Sequence, residues 1–273
     1  MNRDAIASRL TGKFGRILEC HAELGSTNDR ARELLETLGE KAIGAVVIAA
    51  RQTEGRGRHG RAWFVESGKS LAMSVALWPR LGTKGASCLP LAGALGVRKA
   101  LMDEGVECRL KWPNDVLANG RKIAGILVES RFSGDLPQGV VLGAGVNLGQ
   151  VPEDFPPEIR DTATSVKIES GRFVELEAFA ASVINALEPL VTEALLAPGS
   201  LVDSAARFWI HEPGSPLRVT TARGIIEGRF ISIGEGGELM METGGGLEKI
   251  SAGDVAMLRC PDHVIGTGRH GGQ

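Results

Sequence analysis

Two apolar stretches, Ala45-Val46-Val47-Ile48-Ala49-Ala50 and Leu71 to Trp78, flank the segment Glu54-Gly55-Arg56-Gly57-Arg58-His59-Gly60-Arg61. Strand, glycine lattice, strand is a narrow constraint on what this chain can fold into. Glycines let backbone approach a ligand closely, and the interleaved guanidinium groups are permanently charged forks for carboxylate or phosphate oxygens. Gly55, Gly57 and Gly60 match the G-x-G-x-x-G spacing of a dinucleotide fold. That fold also needs a helix opening at the loop and an acidic residue about 20 positions on. Here the loop runs into Trp63-Phe64 and a second strand that holds no acid. A protein-kinase loop requires Val where Ala62 stands, and neither H-R-D nor D-F-G follows. Gly68-Lys69-Ser70 ends like a P-loop, but the required first glycine falls on Trp63. From the loop alone, a solvated arginine-rich turn is the plain alternative.

A chain of 273 residues has room for one catalytic domain and a small module. The formal net charge of −2 argues against a broadly basic nucleic-acid surface. No apolar run approaches the roughly 18 residues of a membrane span and no signal peptide opens the chain, so the expectation is a cytoplasmic protein with no membrane partner. Cys20, Cys88, Cys108 and Cys260 are scattered without a C-x-x-C pair, which suits reduced, mostly buried thiols and not a metal site. There is no tyrosine to serve as acid or base.

Ser26-Thr27-Asn28-Asp29 ahead of Ala31, Leu34, Leu35 and Leu38 predicts a helix from Ser26 or Thr27 to Gly39. Leu89 to Leu101 reads as a second helix that ends at Gly105. Asn119-Gly120 is a strong hairpin signal, because both central residues of a type I′ turn need positive φ. A two-residue turn pairs Leu117 with Lys122 and Asp115 with Ala124, and places all four on one sheet face. The return strand is Arg121 to Glu129, and Val140 to Leu142 runs into Gly143-Ala144-Gly145-Val146-Asn147. Residues 150–161 read as a loop, and Phe173 to Leu196 and Leu201 to Trp209 as helices. Pro213-Gly214-Ser215-Pro216 is a linker. Beyond it, Leu217–Thr221, Gly224–Ile233, Glu238–Glu242 and Val255–Leu258 predict a small β-barrel or sandwich. The expected division is 1–212, 213–262 and a disordered tail, 263–273.

Lys122 sits in a strand that is apolar on both faces, so it must find an anion. A structural ion pair with Asp115 satisfies that need, and so does a ligand oxygen in the crevice of the arginine loop. Lys111-Trp112-Pro113-Asn114-Asp115 is dense in polar groups, and Pro113 interrupts ladder pairing so that the segment bends. Lys111 reads equally as a solvated residue, Trp63 as core, Asn147 as a turn residue, and Ser26 and Thr27 as helix caps. No nucleophile constellation stands out, since no G-x-S-x-G occurs. Many cations with few acid–base groups suit chemistry in which charge develops at phosphorus and positioning dominates.

Five blocks in order make a resemblance specific: Ser26-Thr27-Asn28, Gln52 to Trp63, Lys111 to Asp115, Arg121 to Glu129 and Gly143 to Asn147. Together they resemble the biotin–protein ligase family, with Glu54 where a small residue is usual and His59 where arginine is common. The resemblance implies a mixed α/β catalytic domain like that of class II aminoacyl-tRNA synthetases, with a C-terminal SH3-like β-barrel. It implies that ATP and biotin combine, with Mg²⁺, to biotinyl-5′-AMP and pyrophosphate, and that biotin then passes to one lysine of a biotin carboxyl carrier domain. Carried over, Ser26, Thr27, Asn28 and Gln52 bind the biotin head. Arg56, Gly57 and Arg58 cover biotin and the adenylate phosphate, and Trp63, which also shelters adenine, completes the biotin pocket with Gly125, Leu127 and Ala144. Arg61, Lys111, Asn114 and Asn147 lie toward the nucleotide, Lys122 binds the reacting oxygens, and Asp115 supports Mg²⁺. Lys122, Arg56, Arg58 and Lys111 are then the catalytic cations.

Two rivals frame that expectation. Lipoate–protein ligases share the architecture and chemistry, but a lipoyl ring needs no polar groups such as Ser26-Thr27 and Gln52. A biotin-dependent repressor carries a winged helix of about 60 residues before the first block, where this sequence has 25, so no DNA partner is expected. A non-catalytic sensor lacks the loop arginines or the lysine that are all present here. A homodimer is compatible with the sequence.

Overall fold

The computed structural model describes residues 1–63, 68–77, 83–133 and 136–257. Phe64, Trp78, Leu258, Cys260 and the expected tail lie outside the described residues. Helix α1 (Arg3–Ala7) leads to β1 (Leu18–His21) and α2 (Thr27–Leu38). Helix α2 begins after Ser26 and stops at Gly39, whose φ of 58° is left-handed, as the Ser-Thr-Asn start and glycine stop require. Next come β2 (Val46–Ala49), β3 (Ser70–Leu77), α3 (Thr83–Ser87), α4 (Leu89–Asp103), β4 (Arg109–Lys111), β5 (Asp115–Ala118), β6 (Arg121–Ser133) and β7 (Leu136–Asn147). Helices α5 (Val166–Ser170), α6 (Leu176–Leu196) and α7 (Pro198–Ala205) follow.

The first seven strands form one mixed sheet in the order β1-β2-β3-β7-β6-β5-β4, with β1 and β2 parallel and every other pair antiparallel. Strand alternation assigns its faces. Leu71, Met73, Val75 and Leu77 of β3 enter the main core, with α4 and α6 packed over it. Ala72, Ser74 and Ala76 point the other way, toward α2, where Ala76 joins Ala31, Leu34, Leu35, Val47 and Val141 in a second cluster. The cleft described below opens on that side.

Two hairpin details differ from the expectation. Leu117 pairs with Lys122, but a bulge follows, so Val116 faces Ala124 and Asp115 faces Gly125 instead of Ala124. The extra residue lets Ile123 and Ala124 both enter the core while Lys122, Gly125 and Leu127 border the cleft. Ala124 and Ile123 therefore do not share faces with Lys122 and Leu127 in strict alternation. Second, the segment around Pro113 reverses direction outright. Trp112-Pro113-Asn114 is a tight turn between β4 and β5 that brings Lys111 opposite Asp115, with a cis bond at Trp112–Pro113.

Strands β8 (Pro216–Thr221), β9 (Gly224–Ile233), β10 (Leu239–Thr243), β11 (Gly246–Ile250) and β12 (Asp254–Met257) form an antiparallel sheet in the order β11-β10-β9-β8-β12. The last strand returning to the first is the ladder of the SH3-like module implied by the resemblance. Its inner residues Leu217, Val219, Phe230, Leu239 and Met241 are continuous with the main core. Contrary to the reading of short apolar runs, α6 has the length and mean apolarity of a membrane-crossing helix. Half of it is buried inside the fold, and Glu177, Glu188 and Glu193 interrupt it, as in a core helix of a globular protein.

Candidate active site

A cleft of about 470 Å³ opens over β3, β7, β6 and β5, between the N-terminus of α2 and the 52–63 segment. All of the residues singled out in the five blocks border it: Ser26, Thr27, Asn28, Gln52, Arg56, Gly57, Arg58, Arg61, Trp63, Lys111, Asn114, Asp115, Lys122, Gly125, Leu127, Ala144 and Asn147. Positions more than 120 apart in sequence converge because β3 and β7 are adjacent at the middle of the sheet.

One end of the cleft is polar and tightly wired. The Thr27 N–H and hydroxyl both donate to Gln52 Oε1, at 2.7 and 3.1 Å, which turns the Gln52 amide nitrogen away from α2. Buried Ser74 contacts Thr27 Oγ1 at 2.7 Å and Asn28 Oδ1 at 2.6 Å, and the Asn28 amide donates to Glu129 Oε2 at 2.7 Å. Ser26 precedes α2 without making a side-chain cap, so its hydroxyl is not consumed by the helix. Asn28 therefore organises the floor of the site through Glu129 and Ser74. Glu129 closes the fourth sequence block with no role assigned to it there, and Ser74 reads as an ordinary strand residue.

The 55–63 segment is itself a small hairpin, closed by Gly57 N–H to Arg61 O at 2.7 Å and Trp63 N–H to Gly55 O at 2.9 Å. Its arginines are not equivalent. Arg56 bonds Asp29 at 2.7 Å, and Asp29 in turn holds Arg32 at 2.7 Å. The Arg56 hydrogen bond, then that of Arg32, keeps the Asp29 carboxyl below its ordinary value against the opposing effect of burial. Arg56 is thus an anchor of the loop on α2. Arg58 donates to Gly253 O at 3.0 Å and Asp254 Oδ1 at 3.2 Å, and Arg61 also bonds Asp254. Burial pushes the Arg58 guanidinium below its usual value even with Asp254 beside it. Asp254 lies in β12, far from every block, and no sequence pattern announces its place in the cleft.

Lys122 forms an ion pair with Asp115 at 2.6 Å and stands 5.5 Å from the centre of the Trp63 ring. Its side chain is 36 % exposed, so it is half-buried at the cleft surface and not sealed in the sheet as the apolar run suggested. Trp63 packs closely against β7 because that strand offers no side chain under it. A Cβ on Gly145 would come within 2.4 Å of the indole, and one on Gly143 within 2.3 Å of Asn28 Oδ1. The indole N–H is buried without a hydrogen-bond partner in the described residues. Ala144, between those glycines, turns its methyl into the core with Leu142 and Val146, and so borders the cleft by main chain rather than by side chain.

The amides of Asn114 and Asn147 donate to Ile126 O at 2.6 Å and Thr164 O at 2.9 Å, so both brace backbone at the cleft rim. The 150–161 segment also contributes, with Phe155 and Ile159 bordering the cleft, and just beyond it Thr162 O accepts the Lys122 N–H at 2.7 Å. The carboxylate expected to support Mg²⁺, Asp115, borders the cleft. Asp115 is engaged by Lys122, Asp254 by Arg58 and Arg61, and among the described residues no three His, Cys, Asp or Glu side chains cluster to hold a metal. Cys20, Cys88 and Cys108 are free thiols. Burial raises Cys88 to about 11 and Cys108 to about 12, which leaves them unreactive.

Residues 24–147 match the model of the biotin/lipoate A/B protein ligase family. The chain is 35 % identical over 250 residues to a biotin–[acetyl-CoA-carboxylase] ligase of Paracoccus denitrificans, covering 86 % of this chain and 98 % of that protein. It is 30 % identical to a bifunctional ligase/repressor of Bacillus subtilis, over 90 % of this chain and 76 % of that protein. Its fold is similar to that of a biotin protein ligase from Aquifex aeolicus solved in complex with biotin and ATP, with a TM-score of 0.74, 26 % identity, and coverage of 90 % of this chain and 100 % of that one. A wired polar group beside a cation-rich loop, with sequence likeness along 98 % of the Paracoccus ligase and 76 % of the Bacillus protein, establishes that the chain belongs to the biotin–protein ligase family.

Proposed function

We infer that this chain joins biotin to ATP, giving biotinyl-5′-AMP and pyrophosphate, and then transfers the biotinyl group to one lysine of a biotin carboxyl carrier domain. The observation that carries the reading is the polarity of the cleft, which is bordered both by the hydrogen-bonded group of Ser26, Thr27 and Gln52 and by the cations Arg58 and Lys122, with Trp63 beside Lys122. That pairing suits a molecule with a polar ureido head and a carboxylate.

In the first step a carboxylate oxygen attacks the α-phosphorus of ATP, and pyrophosphate leaves. Two unit charges about 4 Å apart at an effective dielectric near 20 repel by about 4 kcal/mol, so cations at the reacting centre act directly on the barrier. In this reading Lys122 exchanges Asp115 for the reacting oxygens. Arg58 exchanges Asp254 for the adenylate phosphate, and Lys111 and Arg61 border the same cleft. Mg²⁺ enters on the triphosphate as part of the nucleotide substrate. Biotinyl-AMP is a reactive mixed anhydride, and closing the 55–63 hairpin over it limits hydrolysis. In the second step the neutral amine of the acceptor lysine attacks the acyl carbon, and AMP departs with the bonding electrons.

The test is to incubate the protein with ATP, biotin and a carrier domain and to measure the intact mass of the acceptor. Addition of one biotinyl group is expected. Addition of a lipoyl group in preference, when both acids compete, would overturn the assignment of substrate.

A further inference from the structure

Lys122 has an unstable address. It lies at the first positions of β6, directly after the Asn119-Gly120 turn with φ of 48° and 76°, and beside a register shift in the β5–β6 pairing. Strand ends next to bulges and turns open easily, whereas a charge that stabilises a reacting anion must be held to within about 0.5 Å. Something other than the ladder has to fix this main chain.

Glu169, on α5, is in position to do so. Its side chain is 5 % exposed and gathers three donors. The Asn119 amide reaches Oε2 at 2.6 Å, Arg121 Nη2 reaches Oε1 at 2.8 Å, and the Thr164 hydroxyl donates to Oε1. Those donors bracket Lys122 on both sides. Asn119 and Arg121 belong to the turn that precedes it. Thr164 belongs to the crossing segment, where its N–H donates to Lys122 O at 2.9 Å while Thr162 O accepts the Lys122 N–H at 2.7 Å. One carboxylate thus ties the turn to the crossing segment, and Lys122 is clamped between them.

We propose that Glu169 is a positioning residue for Lys122: it touches neither substrate, and it fixes the backbone from which the lysine reaches the reacting oxygens. The proposal rests on the assignment of Lys122 to adenylation. Removing the negative charge leaves Arg121, which is 35 % exposed, free to turn to water, and in Glu169→Gln sets an amide NH2 against the Asn119 amide that Oε2 now receives. The two strands of contact then part, and the lysine is displaced without being lost.

The experiment is a double-mutant cycle on pyrophosphate release, combined with hydrogen exchange. Glu169→Gln is expected to lower kcat about 10- to 100-fold with the biotin KM within about twofold of the parent, and to speed exchange of the Lys122 and Thr164 amides about tenfold. In a Lys122→Met background the same substitution is expected to change the residual single-turnover rate less than about twofold, because the group it positions is already gone. Equal losses in both backgrounds, or unchanged exchange at the two amides, would overturn the proposal. Should Glu169→Gln fail to fold, Arg121→Met removes one solvent-exposed arm of the clamp and is expected to move all readouts in the same direction by a smaller factor. A parent protein that releases no pyrophosphate with biotin would instead sink the reading of the function, and the exchange rates would still decide whether Glu169 holds this main chain.

Discussion

Gly145→Ala is a one-methyl change whose effect follows from geometry. The new Cβ would stand 2.4 Å from Trp63 Cε2, 2.5 Å from Nε1 and 2.7 Å from Cζ2. Ordinary contact begins near 3.4 Å, so the indole must rise by about 1 Å. The sheet cannot yield instead, because β7 is hydrogen-bonded on both sides, to β3 and to β6. Trp63 has no hydrogen bond through its indole to resist the shift, and so the ring moves and carries the end of the hairpin with it. Overpacking of this kind costs about 1–3 kcal/mol, and a 1 Å misplacement in a site can cost about 10²-fold. We expect kcat/KM for biotin to fall about 10²-fold, with the thermal midpoint lowered by a few degrees. Gly199→Ala is the control: its nearest neighbour would be Glu235 Cγ at 3.8 Å, and it should leave activity unchanged. Steady-state pyrophosphate release and calorimetric biotin titration supply both numbers. Biotin affinity and turnover within threefold of the parent for a folded Gly145→Ala protein would refute the idea that Trp63 is seated by the absence of a side chain at this position.

Four further outcomes are expected. Lys122→Ala should reduce adenylation by about 10²–10³-fold, which near-parental pyrophosphate release by a folded variant would contradict. Arg58→Gly should retain some adenylation yet lose biotinyl-AMP about 10- to 100-fold more readily, so that an unrelated bystander protein becomes biotinylated; parental bystander labelling would remove Arg58 from that role. Hydrogen exchange over residues 54–63 should slow when biotinyl-AMP is added, since glycine-rich backbone has much freedom to lose, and an unchanged profile would count against closure. Finally, burial lowers His211 from its ordinary 6.5 to about 4, with Lys111 adding to the effect. The unfolded chain therefore binds more protons than the native one between pH 6.5 and 4, stability rises with pH across that window, and His211→Gln should flatten the slope in urea titrations.

How much of this was legible beforehand depended on whether the signal was local. Helix α2, the Asn119-Gly120 turn and β9 were readable because capping, positive φ and alternation are written in adjacent residues. The bulge after Lys122 was not, since an apolar run on both faces carries no register. Strand β11 was missed because Gly246 to Lys249 are all exposed and show no alternation. Strand β1, Leu18-Glu19-Cys20-His21, is too polar to stand out, although Glu19 is held near pKa 2 by Arg30 and then His21. The cleft residues were readable as ordered blocks, but their division of labour was not. Arg56 and Arg58 are two positions apart and look alike, yet Asp29 takes one and Asp254 the other. That distinction is made by partners 27 and 196 positions away.

The boundary suggested by Pro213-Gly214-Ser215-Pro216 divides the polypeptide, but it does not divide the hydrogen-bonding economy. Carbonyls beyond it serve donors before it: Gly237 O receives the Trp112 indole N–H at 2.8 Å, Gly236 O the Ser87 hydroxyl at 2.6 Å, and Gly253 O the Arg58 guanidinium. A protein shortened at residue 212 would keep the whole seven-stranded sheet and every one of the five sequence blocks. It would also remove three acceptor carbonyls and strip a carboxylate from the cleft wall. Anyone trimming this enzyme to a minimal labelling tool should therefore treat the last sheet as part of the wall of the reaction chamber, and shorten the chain elsewhere.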